Sequence, residues 1–106
     1  MDKSELALLE AQAQIMKALS HPTRLFIVNV LAEGEKCVCE LTEMVGVDTS
    51  TISKHLSLMK NAGIVGFEKR GTSMYYSLKM RCVLNFFTCV NEVLQKNIEV
   101  QMVFTK

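Results

Sequence analysis

Gly46-Val47-Asp48-Thr49-Ser50-Thr51-Ile52-Ser53-Lys54-His55-Leu56-Ser57-Leu58-Met59-Lys60 reads as a tight turn followed by a helix with two unlike faces. Asp48 is a good N-cap, its carboxylate placed to accept an orphan backbone N–H of the first turn. At about 100° per residue, Ile52, Leu56 and Met59 fall within an arc of about 60°. Ser50, Ser53, Lys54, Ser57 and Asn61 cluster on the opposite side, with no acid among them. One face is anchored in a core; the other is a row of short hydrogen-bonding side chains around a lysine. Short donors let a helix lie deep in a major groove, where serine and threonine serve phosphate or base edges. Ser50, Ser53, Lys54 and Ser57 of this face, together with Thr49, Thr51 and His55 of the same helix, are the candidate DNA contacts. On an isolated helix the same pattern also describes a solvated face, so the flanking segments decide.

Upstream, Lys36-Cys37-Val38-Cys39-Glu40-Leu41-Thr42-Glu43-Met44-Val45-Gly46 reads as a short helix of about two turns, with Leu41, Met44 and Val45 inward and Gly46 closing it. Two helices joined by a short glycine-containing turn are a helix-turn-helix signature. Downstream, Asn61-Ala62-Gly63 ends the serine-faced helix. Ile64 to Lys69 and Thr72 to Leu78 then read as strands of a hairpin turning around Arg70-Gly71. Lys69 and Arg70 at its tip are placed to reach the minor groove or the phosphate backbone beside the helix.

Ser4 to Leu19 is a first helix, with Leu8, Ala11, Ile15, Ala18 and Leu19 at helical spacing and Leu6, Leu9 and Met16 widening the apolar surface. Ser20-His21-Pro22-Thr23-Arg24 is a break and a restart, with Pro22 near the first helical position. The second helix, to about Ala32, is apolar on most sides and is expected to be the most buried. Met80 to about Asn97 is a long last helix whose arc of Val83, Phe86, Phe87, Val90, Val93, Leu94 and Ile98 is wider than one packing contact needs. Val100 to Phe104 either extends it or docks loosely. A terminal helix this apolar points to a second chain, the first and last helices forming a two-fold interface. Two reading heads then face two half-sites of a pseudo-palindromic duplex operator about one helical turn apart. The fold expected is mainly α with a small β-hairpin, a winged helix-turn-helix of order α-α-α-α-β-β-α, with residues 1–106 as one DNA-binding and dimerisation domain.

The net charge of +1 hides an uneven distribution. Residues 1–48 carry four Lys/Arg against eight Asp/Glu, a balance of −4, and residues 82–106 balance to zero. Residues 54–81 carry Lys54, Lys60, Lys69, Arg70, Lys79 and Arg81 against Glu68 alone, a balance of +5. The basic charge begins with the serine-faced helix, as an electrostatic footprint on nucleic acid would. The acidic half predicts modest, salt-sensitive affinity. No run approaches the roughly 18 apolar residues of a membrane span, and the polar start Met1-Asp2-Lys3-Ser4-Glu5 is unlike a signal peptide. A cytoplasmic protein with reduced cysteines is the expectation. No nucleophile–base–orienter set is visible, so an enzyme is not expected; a C-x-C pair lacks the βαβ setting of a thiol oxidoreductase.

In order and at matching spacing, several short pieces resemble the ArsR/SmtB family of bacterial and archaeal repressors, from about Leu8 to Val93. They are Lys17-Ala18-Leu19-Ser20-His21-Pro22-Thr23-Arg24-Leu25, Cys37-Val38-Cys39-Glu40-Leu41, Ser53-Lys54-His55-Leu56, Asn61-Ala62-Gly63-Ile64-Val65, Arg70-Gly71 and Tyr75-Tyr76-Ser77-Leu78. The resemblance implies a homodimer that represses an operon without any cofactor and leaves DNA when it binds a metal ion or its thiols are modified. Cys37-Val38-Cys39 resembles the cysteine metal box of the family's sensors of As(III), Sb(III), Cd(II) and Pb(II).

Geometry sets a condition on that pair. Residues i and i+2 share a side of an extended segment but lie about 200° apart on a helix. Both sulfurs can meet one ion only where the chain is not yet helical, or where the first turn is distorted. The nearby helix N-terminus and Lys36 favour thiolate there, and soft ions prefer thiolate ligands. Distorting that turn would move the helix that positions Ser50 to Lys54. Two thiolates make an incomplete site, however. The arsenic sensors often carry a third cysteine just beyond the pair, where Thr42 and its neighbours offer none, and residues 1–36 contain no cysteine. Cys82 and Cys89 are possible additional ligands, although small interface hydrophobes is their simpler reading; on one helix they stand about 10.5 Å apart, too far to bridge. His21 suits a capping role, and His55 a local hydrogen bond or a phosphate. With no histidine after His55, the zinc and nickel type of site on the last helix is disfavoured. Two readings remain: a repressor released by a thiophilic ion at Cys37 and Cys39, or the same repressor switched by disulfide or polysulfide formation. A winged helix used only for protein interaction fits the basic segment less well.

Overall fold

A computed structural model describes residues 1–104, with side chains as far as Ile98. Its elements are α1 (Lys3–Leu19), α2 (Pro22–Ala32), β1 (Lys36–Cys37), α3 (Val38–Val45), α4 (Thr49–Asn61), β2 (Val65–Arg70), β3 (Ser73–Leu78) and α5 (Val83–Phe104). This is the winged helix-turn-helix order, with one addition. Lys36–Cys37 forms a third, two-residue strand, and the antiparallel sheet has the order β1-β3-β2. Lys36 stands opposite Tyr76 and Cys37 opposite Tyr75. Two residues are too few to show the alternation that marks a strand; pairing with β3 creates this one.

The helix starts follow local chemistry. Asp48 is extended at φ −73°, ψ 159°, and its carboxylate accepts the Thr51 N–H, opening α4. Pro22 occupies the first turn of α2, and His21 caps it through Nδ1, which accepts the Thr23 N–H at 3.0 Å. Gly46 closes α3 at φ 81°, a left-handed conformation that costs glycine little and lets the chain turn straight into α4.

The core is built from Ile27, Val28 and Leu31 of α2, Leu41 of α3, and Ile52, Leu56 and Met59 of α4, closed by Ile64, Val65, Tyr76, Leu78 and Val83. The inward face read for α4 is thus its buried face. The expectation for α2 needs correction, because Leu25 and Phe26 are exposed. One chain has too few elements to cover every side of α2, so its remaining apolar surface stays open. Met44, read as inward, is likewise exposed.

The first and last helices are more open still. In α1 only Ala18 and Leu19 are buried, whereas Leu6, Leu8, Leu9 and Met16 are exposed. In α5, Phe86, Val90, Val93, Leu94 and Ile98 are exposed after a buried Val83. A groove of about 680 Å³ runs between them, lined by Met16, Leu19, Leu25, Phe86, Val90 and Leu94 among others. The last helix reaches Phe104, beyond the Asn97 expected; how the side chains of Val100 to Phe104 dock lies outside the described residues. Among the described residues no helix is long and apolar enough to cross a membrane.

Candidate nucleic-acid interface and thiol pair

The outward face of α4 is open. Thr49, Ser50, Ser53, Lys54, Ser57 and Asn61 are all exposed. Ser50 donates its hydroxyl to Asp48 Oδ2 at 3.0 Å, and Asp48 Oδ1 accepts the Thr51 N–H at 3.2 Å. Those hydrogen bonds from Thr51 and Ser50 hold the Asp48 carboxyl below its usual range. An acid therefore sits at the start of the helix, next to the serine row. Among the described residues the ion pairs all belong to Arg70, which leaves the Lys54 ammonium unpaired in the middle of the exposed face.

Two residues of the candidate set sit elsewhere. Thr51 is half-buried on the flank. His55 is half-buried and turned inward, its ring centroid 4.6 Å from that of His21 at an interplanar angle of 49°. Three residues on from Ile52, His55 lies beside the core stripe and not opposite it. Burial first, then the positive charge of His21 and Arg24, lowers its pKa from the ordinary histidine value. The folded chain thus binds fewer protons here than the unfolded chain, and stability rises with pH. The contribution is present above the ordinary value of about 6.5 and is lost as pH falls below it through the lowered value of the folded chain. Thermal melts of the wild type should therefore show a lower midpoint at about pH 5 than at about pH 7, and His55→Gln should flatten that difference.

The basic segment is less available than its count suggests. Arg81 donates to the Ala32 carbonyl at 3.2 Å, holding the end of α2. Lys60 lies over the Phe67 ring, 4.9 Å from the centroid. The aliphatic stem of Lys79 lies so close over Gly66 that a Cβ there would fall 2.5 Å from Lys79 Cε. At the tip of the wing Lys69 is exposed. Arg70 is not a free cation: both its terminal nitrogens bind Glu35, the Nη2 bond at 3.0 Å, and Nη2 also reaches Glu68 at 3.1 Å. Glu35 was missed in the sequence because nothing local links it to a residue 35 positions away. Arg24 was missed too; its guanidinium holds the Lys17 and Ala18 carbonyls at the end of α1.

Cys37 and Cys39 come together at the mouth of α3, where, in place of the reduced thiols expected, they form a disulfide with Cα atoms 5.3 Å apart, because the passage from strand to helix brings the two sulfurs to one side. The geometric condition is met because Cys37 is extended, at φ −77°, ψ 160°, while Cys39 lies in the first helical turn. Cys37 is also the N-cap. Its Sγ accepts the Glu40 N–H at 3.3 Å, and Glu40 Oε1 accepts the Cys37 N–H at 3.2 Å, a reciprocal capping box with sulfur in place of the usual hydroxyl. Cys37 is 4% exposed and Cys39 is exposed, so the pair joins a buried residue to a surface one. Cys82 lies in the turn before α5 and Cys89 on α5, and both are exposed free thiols. Among the described residues no three His, Cys, Asp or Glu side chains gather into a metal site.

Residues 21–66, from the cap of α2 through α4 to the first residues of the wing, match the family described as bacterial regulatory protein, arsR family. The arsenical resistance operon repressor of Bacillus subtilis is 39% identical over 79 residues, spanning 74% of this chain and 75% of that protein. The chain belongs to the arsR family. A cadmium resistance transcriptional regulatory protein, a CadC homolog of Staphylococcus aureus, is 48% identical over 67 residues, or 62% of this chain; the match spans 55% of that relative's length. Among solved structures, the homodimeric winged helix-turn-helix DNA-binding domain of a possible ArsR-family regulator from Mycobacterium bovis superposes with a TM-score of 0.79. It is 31% identical, and the match covers 93% of this chain and 92% of that one. These relatives are transcriptional regulators and not enzymes, and this arsR-family chain is a winged-helix regulator like them.

Proposed function

We propose that this arsR-family chain is a homodimeric repressor that grips a pseudo-palindromic duplex operator. Its DNA affinity falls when a thiophilic ion, As(III), Sb(III), Cd(II) or Pb(II), binds reduced Cys37 and Cys39. The observation that carries the reading is the sulfur pair itself, brought within bonding distance at the N-cap of the helix that precedes α4. Relatives named for arsenical and for cadmium resistance support the ion class. The open face around Lys54 supports the major groove as the place where Thr49, Ser50, Ser53, Lys54 and Ser57 work, with Lys69 at the wing beside it. Thr51 and His55, turned toward the protein, help to seat the helix. The exposed apolar faces of α1 and α5 support the two-fold interface, with residues 1–106 as one binding and dimerisation unit.

A route from ion to DNA follows from the local geometry. An ion that draws both sulfurs to itself takes the Cys37 sulfur from the Glu40 N–H and loosens the capping box. That shifts α3, which packs on α4 and joins it through the Gly46 turn. Two sulfurs do not complete a trigonal site, so the third ligand comes from an added thiol, water or the partner subunit. The disulfide favours a second reading, in which oxidation is the signal: two thiols lose two protons and two electrons to an oxidant, and the closed pair alters the same cap.

Gel shifts on the duplex upstream of the chain's own gene separate these readings. Under reducing conditions arsenite or cadmium should release the protein; release by diamide or polysulfide with none by the metals would assign the switch to oxidation. Lys54→Ala should weaken binding and reduce the salt slope by about 0.9, the share of one phosphate contact. Unchanged affinity at physiological salt would remove Lys54 from the interface.

A further inference from the structure

We infer that Glu35 is an internal stand-in for a DNA phosphate: it holds the wing-tip Arg70 in a two-pronged grip that the duplex must displace, and so sets the wing's share of DNA affinity. This rests on the reading that the wing lies against duplex DNA. Arg70 ends β2, and its two terminal nitrogens reach the two Glu35 oxygens side by side. A guanidinium fork offers the same pair of donors to a carboxylate and to a phosphate, so the two acceptors compete for one geometry. The guanidinium is also oriented from beneath, its Cζ lying 4.7 Å from the Tyr75 ring centroid.

The pairing of β1 with β3 makes the contact possible. Lys36 stands opposite Tyr76 and Cys37 opposite Tyr75, which places Glu35 immediately before the edge strand that flanks the wing, where the long Arg70 side chain reaches it. With Glu68 also on Arg70, two carboxylates surround one cation, and with Lys69 counted the tip of an otherwise basic segment carries no net charge. Both partners of the Arg70–Glu35 pair are 44% exposed. An exposed pair contributes little to stability, so the fold does not depend on this grip. Its electrostatic effect falls on whatever approaches the wing. Arg70 in turn holds the Glu35 carboxyl below its usual range, so the acid is ionised and in place at neutral pH.

Fluorescence anisotropy of the full chain with the duplex upstream of its own gene, over a salt series, tests the inference. Glu35→Gln should bind several-fold more tightly. Its log K against log salt slope should steepen by about 0.9, because Arg70 gains one phosphate. Neither change should appear when Glu35→Gln is made in an Arg70→Gln background. Unchanged or weaker binding by Glu35→Gln would overturn the inference. So would a gain of equal size in the Arg70→Gln background, since that would be the general effect of removing a negative charge. A wild-type chain that binds this duplex no better than unrelated DNA, with no salt dependence, would instead bring down the DNA-binding reading, and the inference with it.

Discussion

Serine at both Cys37 and Cys39 will leave the chain bound to its operator and deaf to arsenite, antimonite, cadmium and lead alike. The double variant should keep its fold because the substitution at Cys37 falls on an N-cap whose sulfur accepts the Glu40 N–H. A serine hydroxyl is a better acceptor at that position. Cys39 is exposed, and serine there removes its sulfur and with it the bridge to Cys37. The response, in contrast, depends on two soft ligands meeting one ion, and hydroxyls do not replace them. An allosteric coupling of about 1–3 kcal/mol corresponds to a roughly 5–150-fold drop in operator affinity on induction. In the double variant that ratio should fall to one in a gel shift run with and without each ion. Release that persists would place the sensor at the exposed thiols Cys82 and Cys89.

The second large effect concerns the apolar faces of α1 and α5. Glutamate in place of both Val90 and Leu94 should yield a folded monomer whose operator affinity is lower by about 10²–10⁴-fold, the advantage that two linked heads have over one. Both residues are exposed in the single chain and line its apolar groove. Charging them leaves the core around Ile52, Leu56 and Met59 intact, but it puts carboxylates where a partner helix would have to shed water. Sedimentation or size-exclusion measurement beside anisotropy gives both readings at once. A variant that stays dimeric, or a monomer that binds as well as the wild type, would move the interface elsewhere.

Much of the architecture was legible because it is local. Asp48 before Thr49, Pro22 after a break and Gly46 at a sharp turn each act within a few residues, and each stands where its chemistry predicts. The three-fold and four-fold spacing of Ile52, Leu56 and Met59 identified the buried side of α4 without any knowledge of what covers it. The same spacing argument, applied strictly, would have turned His55 inward. The second helix, apolar on most sides, is expected from its composition to be the most buried, yet Leu25 and Phe26 are exposed. Composition counts apolar groups, and burial requires something to pack against them.

By itself the sequence determined the order of the elements, their caps, the face of α4 left for a ligand and the short spacing of two thiols, since all of these depend on neighbours along the chain. The tertiary structure alone decided which cations remain available. Arg81 is spent on a carbonyl 49 residues away and Arg70 on an acid 35 residues away, and no periodicity carries that information. It also decided that Lys36–Cys37 is a strand, because such a short segment acquires its conformation from the β3 backbone it pairs with. A charge or a strand of that kind is a property of the packed chain, in which distant residues come within hydrogen-bonding distance.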